Sequence, residues 1–326
     1  MVKRLPMKAE LAKAKAQIEA ADHITIFSHA RPDGDAVGTL LGFMHSLELL
    51  GKHVTPVLHD GVPHRFCFLP GTDRVVQSMP ENPGLTIVVD SSDLERLGFE
   101  PANLATTLDL NIDHHATNTY FAAINLVNPD AAAAAELLFD LAPELGLPMD
   151  ERVANCWLMA LITDTLGFRT PSVSARTLEI AAKLVEAGAN MPELYLRGLQ
   201  QHRFVDLEYW AKGLGRISRR GQLAWTTLKA SDREEVGYDG NDDADLINLL
   251  SAIEGVVVSV IFVEQNDGTV KVSWRSHAGY DVAPLATKMG GGGHAQAAGA
   301  MIVGCLNEVV ELVMGETEKV LSPRTE

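Results

Sequence analysis

His23-Ile24-Thr25-Ile26-Phe27-Ser28 runs directly into His29-Ala30-Arg31-Pro32-Asp33-Gly34-Asp35-Ala36. The first six residues centre on Ile24-Thr25-Ile26-Phe27, mostly apolar and β-branched, the signature of a strand. The next eight place an imidazole and two carboxylates in a turn shaped by Pro32 and Gly34. A helical stretch follows over about Ala36–Leu50, and Gly51 supplies the usual stop. Strand-like runs recur at His53–Leu58, Leu85–Val89 and Leu108–Ile112. This alternation predicts an α/β fold, a mainly parallel sheet with flanking helices, covered on both faces.

The chemistry collects at element ends. Leu85–Val89 runs into Asp90, Leu108–Ile112 into Asp113-His114-His115, and the helical run Trp157–Thr163 into Asp164. The carboxyl ends of parallel strands are where open α/β sheets bind ligands. An aspartate alone at such an end is usually a helix cap, and a histidine alone is usually structural. The tandem histidines added to His29, Asp33 and Asp35 point instead to a metal site. Mixed carboxylates and imidazoles suit cations of intermediate hardness, manganese first among them. Asp33, Asp35, Asp90 and Asp164 crowded together would raise one another's pKa. Two divalent cations would balance the four charges, so metal binding is expected to stabilise the fold. This is the outline of a two-metal hydrolytic site.

Beyond Pro129 the pattern turns helical, over Ala131–Leu145, Glu151–Leu166, Ser174–Gly188 and Arg203–Ile217. Pro171-Ser172-Val173-Ser174 reads as a turn ending in an N-cap. Strands return at Gln222–Leu228, Val256–Glu264 and Thr269–Trp274, with helices near Ala244–Ile253, Tyr280–Lys288 and Leu306–Leu321. Asn266-Asp267-Gly268 marks a hairpin. The expected division is a first domain over 1–205 with a helical C-terminal part, and a smaller α+β domain over 218–326, the boundary falling near 200–218.

Composition narrows the function. Apolar residues make up 46% of the 326, and 43 acids against 27 bases give a net charge of −16. Such a chain has an ordinary core but lacks the positive surface that tracks long nucleic acid. A short phosphorylated ligand is compatible with it, given local positive charge. Cys67, Cys156 and Cys305 fit no disulfide or metal spacing and read as reduced, mostly buried thiols. No stretch reads as an export signal or membrane span, so a cytoplasmic protein without membrane contact is expected.

Gly290–Gly293 alone would be a flexible loop or a helix stop. Followed by His294 and preceded by Arg275, it reads as a phosphate clamp. Trp274 is read as core, Arg169 as either a substrate contact or a surface residue, and Arg219-Arg220 as a solvated turn. His45, His53, His59 and His64, without a carboxylate partner in sequence reach, are read as structural.

Taken together, His-x-x-Pro-Asp-Gly-Asp-Ala (29–36), Asp-His-His-Ala-Thr-Asn (113–118), Ser273-Trp274-Arg275-Ser276 and Gly290–Gly299 resemble the DHH phosphoesterase superfamily with its DHH-associated C-terminal domain. Within it the chain is similar to the nanoRNase (oligoribonuclease/pAp phosphatase) branch over nearly its whole length. The resemblance implies two Mn²⁺ ions, with Mg²⁺ or Co²⁺ as alternatives. His29, Asp33 and Asp90 would hold one; Asp35, Asp90, His114 and Asp164 the other, Asp90 bridging. Asp113 would orient a ligand histidine and His115 would face the substrate phosphate, which makes Asp90, His114 and His115 the catalytic set. Substrate contacts would come from His115, Arg275, Ser276, Gly292, Gly293 and His294. Thr39 replaces a common serine, and Thr165-Leu166-Gly167-Phe168 carries its glycine one place late. The implied substrates are short RNA or DNA oligonucleotides, linear dinucleotides and 3′-phosphoadenosine 5′-phosphate. Two alternatives stand beside this: a cyclic-dinucleotide phosphodiesterase, and a non-catalytic nucleotide- or RNA-binding module. The oligomeric state stays open, a homodimer through the helical region included.

Overall fold

A computed structural model describes residues 5–99 and 108–321, the side chains of 5–7 and of His294 excepted. The chain divides into two units, 1–201 and 202–326. The division falls inside the 1–205 span expected for the first domain.

The first unit contains α1 (Leu5–Ala20), β1 (His23–Phe27), α2 (Gly34–Leu49), β2 (His53–Val57), β3 (Leu85–Val89), β4 (Leu110–Asp113), β5 (Ile124–Val127), α3 (Ala134–Leu145), α4 (Glu151–Asp164), α5 (Ala175–Glu186) and α6 (Met191–Tyr195), the last extended by a π-helical turn over Leu196–Gln200. Its sheet has the order β2-β1-β3-β4-β5, and every pairing is parallel. β5 escaped the sequence reading because Ile124-Asn125-Leu126-Val127 is short and interrupted by a polar residue. The chain leaves β1 to place β2 on one side and then crosses to place β3 on the other. The topological switch therefore lies between β1 and β3, the strands that end at His29 and Asp90.

One sheet face, through Ile24, Ile26, Ile87, Val89, Leu110 and Ile112, joins the main core with α1, α2, α3 and α4. The other face, through Phe27, Val57 and Val88, carries a smaller cluster with Leu97 and Leu108. α2 lies against α4 at glycine distance. A Cβ at Gly34 would come 2.3 Å from Thr163 Oγ1, one at Gly38 2.4 Å from the Cys156 carbonyl, and one at Gly42 2.3 Å from Trp157. These glycines recur every four residues and so form one stripe. The stripe lets the first turn of α2, with Asp35, approach the last turn of α4, with Asp164.

The second unit contains α7 (Phe204–Leu214), β6 (Ser218–Arg220), β7 (Leu223–Leu228), α8 (Ala230–Val236), α9 (Leu246–Leu250), β8 (Val258–Glu264), β9 (Thr269–Ser276), α10 (Ala283–Lys288), β10 (Gly292–His294), β11 (Ala297–Val303) and α11 (Leu306–Leu321). Its sheet runs β10-β11-β9-β8-β7-β6, with only β7 and β8 parallel. α7, expected at the junction, packs here: Tyr209 is buried with Leu228, Leu246 and Ile261. The β8–β9 hairpin turns where Asn266-Asp267-Gly268 predicts it. Asp267 accepts from the Thr269 N–H and hydroxyl, and Gly268 takes φ +81°. Trp274 is core, its indole N–H donating to Thr317 Oγ1 at 3.1 Å.

Several readings are corrected. Arg219-Arg220 is not a turn but part of edge strand β6, paired with Ala224 and Leu223. The glycine-rich run forms β10 and hairpins onto β11; the absence of β-branched side chains over 290–294 hid it. His45 and His59 do have carboxylate partners, Glu48 at 3.5 Å and Asp60 at 2.6 Å. Both are local pairs, one across a helical turn and one between neighbours. Of the cysteines only Cys156 is buried.

Candidate metal centre

β1, β3 and β4 are neighbours in the sheet and end on the same edge. They deliver His29, Asp90 and Asp113-His114-His115 to one place. α2 begins there and α4 ends there, adding Asp33, Asp35 and Asp164. The six expected ligands thus converge. Donor atoms within 4.8 Å of one another form the groups His29–Asp33–Asp90, Asp35–His114–Asp164 and Asp90–His114–His115.

Asp90 occupies the centre and is 2% exposed. Its Oδ2 lies 3.5 Å from His29 Nε2, and its Oδ1 lies 3.5 Å from His114 Nε2. The two oxygens therefore face two different imidazoles, the geometry of a bridge. Its backbone takes φ +53°, a left-handed conformation uncommon outside glycine, although aspartate adopts it more readily than most residues. Strain of this kind persists where the surrounding structure fixes it. Here the backbone N–H of Asp90 is tied to the Ile112 carbonyl.

Four of the six expected ligands are held from behind. His29 Nδ1 lies 2.9 Å from the Ala30 carbonyl and His114 Nδ1 3.2 Å from that of Ala131. Both bonds require the proton on Nδ1 and turn Nε2 toward the carboxylates. Asp35 accepts from the Thr39 hydroxyl at 2.6 Å and from the Ala134 N–H at 2.7 Å. Asp33 caps α2, accepting from the Asp35 and Ala36 N–H groups. His114 Nε2 stands 3.7 Å from both Asp35 and Asp164, and His29 Nε2 3.8 Å from Asp33. These separations exceed good hydrogen bonds. They suit donors arranged around a cation.

Asp113 departs from its expected role. It is fully buried and accepts from His115 Nδ1 at 2.7 Å, not from His114. Its second oxygen accepts from Asn118 Nδ2 at 2.6 Å. The ring of His114 is oriented instead by the Ala131 carbonyl.

The electrostatics describe a site that wants positive charge. Burial raises the pKa of Asp35, and the charges of Asp90 and Asp164 raise it further. Burial also pushes Asp164 up, to about 7, and Asp90 and Asp33 add to the rise against the pull of His114. Burial alone would lower His29, but the carboxylates of Asp33 and Asp90 outweigh it and hold the imidazole at about 10. Burial opposes ionisation of Asp90 as well, yet His114 and His29 keep it far below the usual carboxylate range. Histidine protons here do the work that divalent cations would do better. Residues and charge both fit a pair of such ions.

Several contributors were not legible beforehand. Ala131 and Ala134 act through one backbone group each, while Thr39 and Asn118, noted in sequence without a role, act through their side chains. The small-residue run 131–135 following β5 was the signal available for Ala131 and Ala134. Arg96 NH1 lies 3.2 Å from His115 Nε2, and no sequence pattern marks it.

The expected substrate residues of the second unit lie on adjoining strands. Arg275 on β9 pairs with Ala297 on β11, and Ala297 pairs with His294 on β10. The side chain of His294 lies outside the described residues. Gly292 and Gly293 are exposed. Gly293 takes φ +142°, and a Cβ there would come 2.5 Å from the Ala297 carbonyl, so glycine is required. Arg275 donates to the Trp274 carbonyl at 3.1 Å. Ser276 Oγ donates to the Tyr280 carbonyl at 2.5 Å and lies 3.2 Å from that of Ala295. Its hydroxyl thus ties two loops together.

A parallel sheet whose carboxyl edge gathers acids and imidazoles for divalent cations defines a class of α/β metal-site proteins. Residues 23–161 match the DHH family N-terminal domain and residues 227–319 the DHHA1 domain. The chain is 34% identical over 299 residues to the bifunctional oligoribonuclease and PAP phosphatase NrnA of Thermus thermophilus, covering 89% of this chain and 88% of that protein. The chain belongs to the DHH family. Its fold is shared by an exopolyphosphatase-related protein from Bacteroides fragilis, with TM-score 0.91, 23% identity and 98% of each chain covered. It is shared more distantly by RecJ of Thermus thermophilus in complex with Mn²⁺, with TM-score 0.52, 18% identity, and 97% of this chain and 55% of that one covered. Among the described residues no helix is long and apolar enough to cross a membrane.

Proposed function

We propose that this protein is a metal-dependent phosphoesterase that hydrolyses short oligonucleotides, linear dinucleotides included, and 3′-phosphoadenosine 5′-phosphate. The observation that carries this reading is the two-sided placement of Asp90, one oxygen toward His29 and the other toward His114. The name of the Thermus thermophilus NrnA supports the substrate class. The three cysteines, none paired, fit the cytoplasm as its place of action.

His29, Asp33 and Asp90 would hold one cation, and Asp35, Asp90, His114 and Asp164 the other. Manganese is our choice of metal, supported by the mixed donor set. Bound cations supply charge neutralisation and Lewis acidity at phosphorus. The chain's own residues do the rest. Asp90 sets the spacing of the two ligand groups, Thr39 and the Ala134 N–H fix Asp35, and Asp113 holds the His115 ring through Nδ1. Arg275 and His294, with the exposed Gly292-Gly293 backbone, are the proposed substrate contacts of the DHHA1 domain. Ser276 would serve by holding that hairpin in shape.

The test is a substrate panel with manganese-loaded protein: 3′-phosphoadenosine 5′-phosphate, linear di- to pentanucleotides, cyclic dinucleotides and pyrophosphate. Mononucleotide release from the linear oligomers, with phosphate release from the bisphosphate, is expected. Turnover confined to cyclic dinucleotides, or none at all, would overturn the proposal.

A further inference from the structure

Arg96 is the strongest unassigned group. It lies on the short 3₁₀ turn after β3, Glu95–Leu97, and both backbone polar groups are fixed. Its N–H donates to Asp93 Oδ1 at 2.9 Å. Its carbonyl accepts from the Ala30 N–H at 2.6 Å, which locks the turn to the loop that carries His29. The guanidinium faces two ways. On one side NH1 lies 3.2 Å from His115 Nε2. On the other, Arg96 lines an open pocket of about 550 Å³ with His29, Ala30, Arg31, Asp33, Asp93 and Glu95. His29 and Asp33 belong to the ligand groups described above; His115 is not part of that lining.

The hydrogen-bond order decides what His115 can offer. Asn118 donates to Asp113 Oδ2, and His115 Nδ1–H donates to Asp113 Oδ1. An arginine has no acceptor, so the bond to His115 must run from Arg96 NH1 to the Nε2 lone pair. The nitrogen that would otherwise reach a phosphate is occupied by a guanidinium. What meets the pocket is then arginine, whose planar fork of donors matches phosphoryl oxygens in pairs.

We infer that Arg96 is the residue through which the N-terminal unit grips the phosphoryl group at the metal centre, and that His115 is a positioning residue that holds the guanidinium in place. This rests on the phosphoesterase reading and names the substrate contact of that same site. Asp93 and Glu95 also face the pocket. Asp93 is committed to the Arg96 N–H and to the Ser92 hydroxyl. Glu95 is exposed and sits at the pocket's rim, so it serves as the control position.

Inorganic phosphate is the probe. Its affinity for manganese-loaded protein is measured by calorimetry for the parent chain, Arg96→Gln, Arg96→Lys and Glu95→Gln, with bound manganese counted by elemental analysis. Loss of a charge-assisted pair predicts phosphate binding weaker by roughly tenfold to a hundredfold in Arg96→Gln. Manganese content should be unchanged, Arg96→Lys should recover part of the affinity, and Glu95→Gln should bind phosphate at least as well as the parent. With a linear dinucleotide, KM should rise in Arg96→Gln. His115→Ala should weaken phosphate less than Arg96→Gln does. Unchanged phosphate affinity in Arg96→Gln with manganese retained would overturn the inference. Loss of manganese from that variant would also overturn it, by making Arg96 a support of the ligands. Phosphate binding that depends on Arg96 in a protein that cleaves no oligonucleotide would sink the function and leave this contact standing.

Discussion

The two units hold their proposed functional groups by opposite means. In the first, acids and imidazoles sit at strand and helix ends, most of them buried, and Asp35 and His114 are tied to backbone groups of another segment. In the second, Arg275 and the glycine-rich backbone lie along paired strands with more solvent around them, and the ladder of β9, β11 and β10 alone sets their spacing. The first arrangement stores repulsion between carboxylates that a ligand must relieve. The second stores none, since its shape is fixed by main-chain pairing. The N-terminal site should therefore respond to metal and pH, and the C-terminal one should respond to neither.

The largest break in this contrast comes from Asp90→Ala. It removes both faces of the bridge, and activity should fall on the order of a thousandfold or more, read as mononucleotide release from a linear dinucleotide. Circular dichroism should show both units folded. Turnover near the parent level would refute the bridging role.

Gly38→Ala probes the approach of α2 to α4. Its Cβ would press within 2.4 Å of the Cys156 carbonyl, and overpacking of this kind costs roughly 1–3 kcal/mol. Manganese affinity should fall with it, because Asp35 and Asp164 are carried by the two helices. A stable variant with normal affinity would show that the glycine stripe does not set their distance.

Acid–base behaviour sharpens the contrast without mutation. In metal-free protein His29 is held at about 10, above its ordinary value. Its contribution is fully present below about pH 6.5 and is lost as pH rises toward 10. Asp164, raised to about 7, adds in the same direction, because its ionisation in the folded state is disfavoured. Metal-free protein should thus melt at progressively lower temperature from about pH 5 to 10. Manganese affinity should climb over that range, since the ions displace protons. A flat melting profile would contradict the charge balance described for the site.

Arg275→Ala should have the smallest effect on the fold. Stability should change by less than about 0.5 kcal/mol and bound manganese should be unaltered, while KM for a linear dinucleotide rises. Equal losses of metal and substrate binding would dissolve the distinction between the two units.

Legibility followed the range of the interactions. Strands ending at His29, Asp90 and His114, the Ser174 cap of α5 and the Asn266–Gly268 hairpin rest on local periodicity and turn chemistry, so neighbours in sequence reveal them. β5 and β10 were missed because short strands with polar residues or glycine acquire their identity only from the strand beside them. The partner of Asp113 was open for the same reason, the expectation naming a ligand histidine but not which one. Residue spacing places Asp113 close to both His114 and His115, and only the folded chain shows that it accepts from His115 Nδ1.

By itself the sequence determined which side chains arrive at the carboxyl edge of the parallel sheet, because strand ends and helix starts are written in contiguous residues. Tertiary structure decided which atoms face one another: Asp35 satisfied by the N–H of Ala134, 99 residues away, Asp90 divided between two imidazoles, and Arg96 turned onto His115. Those pairings depend on how closely separate segments pack, and packing distance is a property of the folded chain rather than of any stretch within it.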